Sequence, residues 1–580
     1  MGNPQVTNLF DRIKELVPVN REFIDGFIEA VADVDKVTVV YGGPGTGKTA
    51  KPIIMIKEEL VPKPAQVVAF NNSTAHWFEN RLGEEECVSV RTIDSIAVSF
   101  VGFENMVKVG DDIERGVETL RRRVSSLFHV PFSNDPYKLE EGNELFGLFD
   151  YVANKAGRDG IDTVIRVLSK VFPRYGAVLD VYIKCLEGKV RLRNSKKGEV
   201  FDCKPRYDFT LARLELLNSV LPRVKVGRED CGAPRTLIVD EVQDLSPLMW
   251  AILGKWLSSG EVEHFIVAGD FDQLIYRSLH HADLEIPRWL YHQAKVKHGW
   301  QVIELTHSHR VPQPLDTLAI AFLNAFDKDP SPWRKWEGVG DRFGVLYIES
   351  MESALVEIAR EIEQREDLRW GRVSYAVLAP TNEVVIRVST ALMTLGVLPH
   401  FLKGYPSEVA GYIEVVKRVV NGELGLDGLG ALDEDSKNAI NGILRYVNLR
   451  ARDYAVRSIV YHLTGEKDVS DSDVMRYVVE NELNPKNLAY AENPNAPVFV
   501  DTVYTAKGLE FERVYVANFA RKGSKIPRDK WGARLFYVAL TRSRGSVVIM
   551  TSSEGDYEEW FPTRVIRELA KKLGVEVVVA

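Results

Sequence analysis

The sequence predicts an α/β protein built on two parallel-sheet domains, each interrupted by a mainly helical insertion. Three observations carry this reading. Short apolar, β-branched runs end abruptly in glycine or acidic residues: VTVVYG at 37–42, LIVDE at 237–241 and FIVAGD at 265–270. Runs of this kind, without polar alternation, mark strands buried on both faces, and buried strands alternating with helices mark parallel sheets. The 580 residues also exceed one core, since single cores rarely grow past about 250–300 residues.

The first domain is expected at 1–99 and 232–304, interrupted by an insertion at 100–231. The second is expected at 305–424 and 497–580, with a reduced helical insertion at 425–496. Helical spacing runs through DDIERGVETLRRRVSSLF at 111–128 and DYAVRSIVYHL at 453–463. KCLEGKVRLRNSKKGEVFDCKPR, at 184–206, holds eight Lys/Arg against three acids. It reads equally as a basic hairpin that touches nucleic-acid backbone and as a solvated charge run.

Hydrophobic residues at 45% and charged residues at 27% are ordinary for a globular protein. No apolar run reaches the roughly 18 residues of a membrane span, and the N-terminus lacks a signal-peptide pattern. A cytoplasmic chain without a membrane partner is expected. Cys87, Cys185, Cys203 and Cys231 form no CxxC cluster, so neither a structural zinc nor a disulfide framework is expected, and a reducing compartment fits. The net charge of −8 excludes a nucleic-acid binder that uses its whole surface, but not a local basic track.

The chemistry begins after the first run. GGPGTGKT places Gly42, Gly43, Pro44, Gly45, Thr46, Gly47, Lys48 and Thr49 in phosphate-loop spacing. Backbone N–H groups of such a loop converge on phosphate oxygens, aided by the following helix N-terminus, expected over about 48–60. Lys48 would reach the β- and γ-phosphates of ATP, and the Thr49 hydroxyl would hold Mg²⁺. LIVDEVQD leaves Asp240 to bind Mg²⁺ through water and Glu241 to orient or deprotonate the attacking water. Beyond FIVAGD, Gln273 can sense the γ-phosphate and Tyr276 offers a ring for a base. His280 and His281 lack a third metal ligand at suitable spacing and read as polar loop residues.

At this point the chain resembles superfamily 1 helicases of the UvrD/Rep/PcrA family, whose motor domains are RecA-like. Further motifs match in order. VVAFNNSTAHWFENRL (67–82) resembles the first strand-contact motif, with Phe70 as the base-contacting aromatic and Asn72 nearby. VRTIDSI (90–96) is similar to the next, with Thr92 and Ser95 in place and Asp94 where a histidine is usual. IELTHSHRVP (303–312) and RLFYVALTRSR (534–544) resemble the motifs that carry arginine fingers, here Arg310 and Arg542. VDTVYTAKGLEFERVYV (500–516) resembles the motif that meets both nucleotide and strand. That resemblance implies Gly508 and Glu510 at the nucleotide, the latter on the ribose, and Thr502 and Tyr504 at the strand.

The resemblance implies a motor that hydrolyses ATP in the cleft between the two domains. It would move 3′→5′ on single-stranded DNA and at single-strand/duplex junctions. Contacts to phosphate and base faces leave RNA open as a strand. The alternative is a DNA-stimulated ATPase that serves as an effector or remodelling subunit beside a nuclease or a repair or replication protein. Departures from the family bear on its grip. Phe23 stands where an adenine-reading glutamine is usual, Gln5 being the nearby glutamine. His309 replaces an adenine-stacking tyrosine, although imidazole also stacks, and Ser278 replaces a tryptophan after Tyr276.

Overall fold

In a computed structural model the chain is described from residue 4 to 579, apart from 136–137, 139, 194–199, 227–228, 278–280, 327–333, 341–342, 366–367, 369–373, 403–405, 465–468, 484–495, 518, 522–528, 552–556 and 560. Ser278, His280 and the tip of the basic segment lie outside the described residues. Two units result: Met1–Asn134 with Lys138–Thr306, and Asp135–Tyr137 with His307–Ala580.

We number only the strands of the two principal sheets. In the first unit these are β1 (Lys36–Gly42), β2 (Ala65–Ala69), β3 (Val88–Thr92), β4 (Thr236–Val239), β5 (His264–Gly269) and β6 (Gln301–Leu305). Their order is β6-β1-β5-β4-β2-β3, with every neighbouring pair parallel. The apolar runs read from the sequence occupy the centre of this sheet, where both faces are covered. Val40, Val67, Ile238 and Ile266 share one core with Ile53, Ile56 and Phe78 of the flanking helices. The register pairs Tyr41 with Gly269 and Val239 with Val267, so the carboxyl ends of β1, β5 and β4 come together. In parallel sheets this edge is where ligands bind.

The insertion packs helices Ile113–Leu127, Glu141–Val171, Pro173–Leu186 and Phe209–Glu215. Phe146, Phe149, Val152, Leu179 and Tyr182 form its core, joined by Phe10 and Ile13 of the N-terminal helix Pro4–Leu16 and by Val17 just after it. The basic segment pairs Arg191–Arg193 antiparallel with Val200–Asp202.

The expectation about cysteine is overturned. Cys87 is bonded to Cys231 with Cα atoms 5.6 Å apart, and Cys185 to Cys203 at 4.9 Å. Sequence spacing misled because pairing depends on proximity in space. Cys87 immediately precedes β3 and Cys231 lies on the strand Glu229–Gly232, so a bond spanning 144 residues closes the insertion at its base. Closing so long a loop restricts the unfolded chain and stabilises by about 2–5 kcal/mol. Replacing both Cys87 and Cys231 by serine should therefore lower the denaturation midpoint under non-reducing conditions, read by circular dichroism. An unchanged midpoint would show that the bond carries no stability.

The second unit repeats the plan with β7 (Leu346–Ser350), β8 (Tyr375–Ala379), β9 (Val498–Thr502), β10 (Phe511–Ala517), β11 (Ser543–Thr551) and β12 (Val577–Val579). Its order is β9-β8-β10-β11-β7-β12, again parallel throughout. Helices Glu434–Ala451, Tyr454–Thr464 and Asp471–Asn481 lie between β8 and β9 in the chain. Their Ile440, Ile443, Val456 and Val478 join one core with Val377 and Val500 of the sheet. A Cβ at Gly442 would collide with the Met393 carbonyl oxygen, so glycine is what lets two helices touch there. No helix among the described residues is long and apolar enough to cross a membrane.

Each unit buries a neutral histidine. The Thr38 hydroxyl accepts a hydrogen bond from Gln301 Nε2 at 2.9 Å and shares one of 2.8 Å with His264 Nε2. Burial lowers the pKa of both His264 and His400 to about 4. Unfolded histidines take up protons below about pH 6.5, so between about 6.5 and 4 the unfolded chain binds more protons. Stability is full above that window and falls as pH drops through it. The denaturation midpoint should fall less steeply on acidification in His264→Gln than in the natural chain; parallel curves would contradict this.

Candidate functional site

β1 delivers the phosphate loop. A Cβ at Gly42 would lie 2.7 Å from the Leu305 carbonyl oxygen, so only glycine passes between loop and β6. Gly45 and Gly47 take positive φ values of 70° and 89°, letting the chain reverse before the helix Ala50–Lys57. That helix is shorter than the sequence suggested. Lys48 is 8% exposed, and its Nζ donates to the Gly43 carbonyl at 2.7 Å, as the Thr46 hydroxyl does at 2.9 Å. Thr49 stands at the N-cap but makes no capping bond through its side chain.

β4 delivers the acids. Asp240 is 1% exposed, and neither carboxylate oxygen has a partner of full hydrogen-bond geometry among the described residues. Burial, then the neighbouring Glu241 charge, raises its pKa to about 7, while the Thr49 hydroxyl and Lys48 act in the opposite sense. A buried carboxylate beside a hydroxyl offers hard oxygen donors, the set that suits Mg²⁺. Glu241 takes a left-handed φ of 53° immediately after the strand.

β5 delivers the third part. Asp270 follows it directly, fully buried, its pKa raised to about 6 by burial and held back by the Lys48 charge. Lys48 is thus the shared counter-charge of Asp240 and Asp270. Gln273 Nε2 donates to Asp270 Oδ2 at 2.7 Å. Gln243 links the acids after β4 to Asp270 after β5. Gln243 Nε2 donates to Glu241 Oε2, and Gln243 Oε1 accepts from the Asp270 N–H at 3.0 Å. The signal was the complete DEVQD run, since a buried amide can tie two strand ends together.

The strand candidates also gather in the first unit. Phe70 and Tyr276, 206 residues apart in sequence, lie with ring centroids 5.5 Å apart and planes at 31°. Both are half-buried. One small cavity is lined by Phe70, Asp94 and Asp240 together. Asn72 is exposed at the start of the helix Asn72–Leu82. The Thr92 hydroxyl caps its helix by accepting from the Ser95 N–H at 3.1 Å. Phe23 is buried, its ring against Gly157.

In the second unit, Arg310 Nε donates to Glu510 Oε2 at 2.7 Å, and Arg544 Nε lies 3.3 Å from Oε1. Burial would raise the Glu510 pKa, but Arg310, Arg544 and Arg542 outweigh it and hold the carboxyl below its usual value. Arg542 is 1% exposed and donates to the carbonyls of Val538 at 3.1 Å and Leu509 at 3.3 Å. Gly508 has a positive φ of 91°. His309 is exposed, Tyr504 half-buried, and the Thr502 hydroxyl is hydrogen-bonded to that of Thr505 at 3.0 Å.

Known families match both units. Residues 28–279 match an AAA domain, the segment that carries the phosphate loop and both acids. Residues 497–550 match the UvrD-like helicase C-terminal domain. The chain is of the UvrD/Rep superfamily 1 type. A curated protein similar to this UvrD/Rep-type chain is a "Probable DNA helicase II homolog" of Mycoplasma pneumoniae, 30% identical over 106 residues. That alignment covers 17% of the present chain and 15% of the relative's own length.

Proposed function

We propose that the chain is an ATP-dependent DNA helicase and translocase moving 3′→5′ on single strands. The observation that carries this is the convergence of Lys48, Asp240, Glu241 and Gln273 at one sheet edge, beside the Phe70–Tyr276 ring pair. The loop N–H groups of residues 42–47 and Lys48 bind the phosphates. Thr49 and Asp240 would hold Mg²⁺, which neutralises phosphate charge. Glu241, oriented by Gln243, takes the proton of the attacking water. Gln273 senses the γ-phosphate through its tie to Asp270. Arg310 and Arg542 supply positive charge to the transferring phosphoryl group, His309 stacks on the base, and Gly508 and Glu510 meet the sugar side.

On the strand, Phe70 and Tyr276 stack on bases, while Asn72, Thr92, Thr502 and Tyr504 hold the backbone without sequence choice. Polarity follows from the motif type. Strand separation on 3′-tailed duplex, with none on 5′-tailed duplex and ATP turnover stimulated more by DNA than by RNA, would bear this out. Separation from the 5′ tail, or preference for RNA, would refute the polarity or the strand assignment.

A further inference from the structure

We propose that Arg213, from the helical insertion, masks the charge of Asp94 so that a polyanionic strand can occupy the Phe70–Tyr276 site. This inference rests on the strand-binding reading above.

Asp94 lies in the first turn of the helix Ile93–Val101, two residues beyond Thr92, and lines the same cavity as Phe70. A carboxylate placed there sits within a Debye length of any phosphate backbone whose base stacks on Phe70, and like charge repels. The structure answers with a fork. Arg213 donates through Nε to Asp94 Oδ1 and through Nη2 to Oδ2, the latter at 3.0 Å. The Arg213 side chain is 14% exposed, against 39% for Asp94, so the carboxylate is the more open partner of the pair. A bidentate pair of this kind is the strongest way to neutralise a carboxylate without losing its position.

The insertion holds Arg213 rigidly. Its short helix, Phe209–Glu215, is capped by Asp208, which accepts from the Leu211 N–H at 2.8 Å and from the Tyr182 hydroxyl at 2.7 Å. Thr210 donates to Asp150 Oδ1 at 2.6 Å, and Arg121 grips Asp150 through two bonds of 3.0 Å. Arg121 also lies 3.5 Å from Asp208. Four helices of the insertion thereby fix one guanidinium against the strand motif. Arg213 is a positioning residue, acting on the strand only through Asp94.

The test is equilibrium binding of a fluorescent oligothymidylate to the full chain, at low and at high salt. Arg213→Ala should weaken binding about tenfold at low salt, the size of one exposed charge near a phosphate, and less at high salt. Adding Asp94→Asn to it should return the affinity to within about threefold of the natural chain, because the repelling carboxylate is gone. A double variant as weak as Arg213→Ala would overturn the masking role and leave a mechanical tether. An unshifted Arg213→Ala would overturn the inference outright. Absence of binding by the natural chain would instead refute the strand-binding reading, and this inference with it.

Discussion

Lys48→Ala is expected to reduce strand-stimulated ATP turnover by at least about 100- to 1,000-fold, the cost of removing one preorganised charge from a phosphoryl-transfer site. The ammonium is nearly buried, rests on the Gly43 carbonyl, and opposes the raised pKa of both Asp240 and Asp270. Its loss removes a phosphate ligand and the counter-charge of two buried acids at once. Those acids respond by taking up protons, so the sheet survives and the deficit falls on turnover. Steady-state hydrolysis with circular dichroism as the fold control checks this. Turnover within about threefold of the natural chain would remove Lys48 from the mechanism.

Glu241→Gln should lower turnover about 100- to 10,000-fold, the usual contribution of a general base, while nucleotide binding persists. The amide keeps the size of the side chain and its place at the left-handed turn after β4. What it loses is the negative charge that draws the water proton, while its amide oxygen still accepts from Gln243 Nε2. Binding of a fluorescent ATP analogue, measured beside hydrolysis, separates the two effects. Binding and hydrolysis lost together would make Glu241 a ligand or structural residue. Arg310 is a cleaner probe than Arg542 for the second unit, because Arg542 is buried on backbone carbonyls and its truncation would also disturb the fold.

Local pattern made much of this readable. The three strands that lead into the glycine-rich loop, Asp240 and Asp270 are short buried runs, so one-dimensional spacing located them. The helices over 111–128 and 453–463 followed from periodicity in the same way. What spacing could not provide was pairing across the chain. Cys87 with Cys231, Asp94 with Arg213 and Phe70 with Tyr276 are separated by more than 100 residues each, and nothing local marks one partner for the other. Asp94 looked like a simple departure from a family motif. Beside Arg213 it becomes half of a compensated pair, which would explain how a carboxylate is tolerated at the proposed strand site. Glu510 shows the same limit, since its residue type was readable but its partners Arg310 and Arg544 were not.

The central claim is a nucleotide site whose turnover depends on a bound strand. ATP hydrolysis by the purified chain with Mg²⁺, measured with and without single-stranded DNA, tests it most directly. Turnover should rise many-fold with DNA and disappear when Mg²⁺ is chelated. ATP hydrolysis that is absent, or indifferent to DNA, would contradict it.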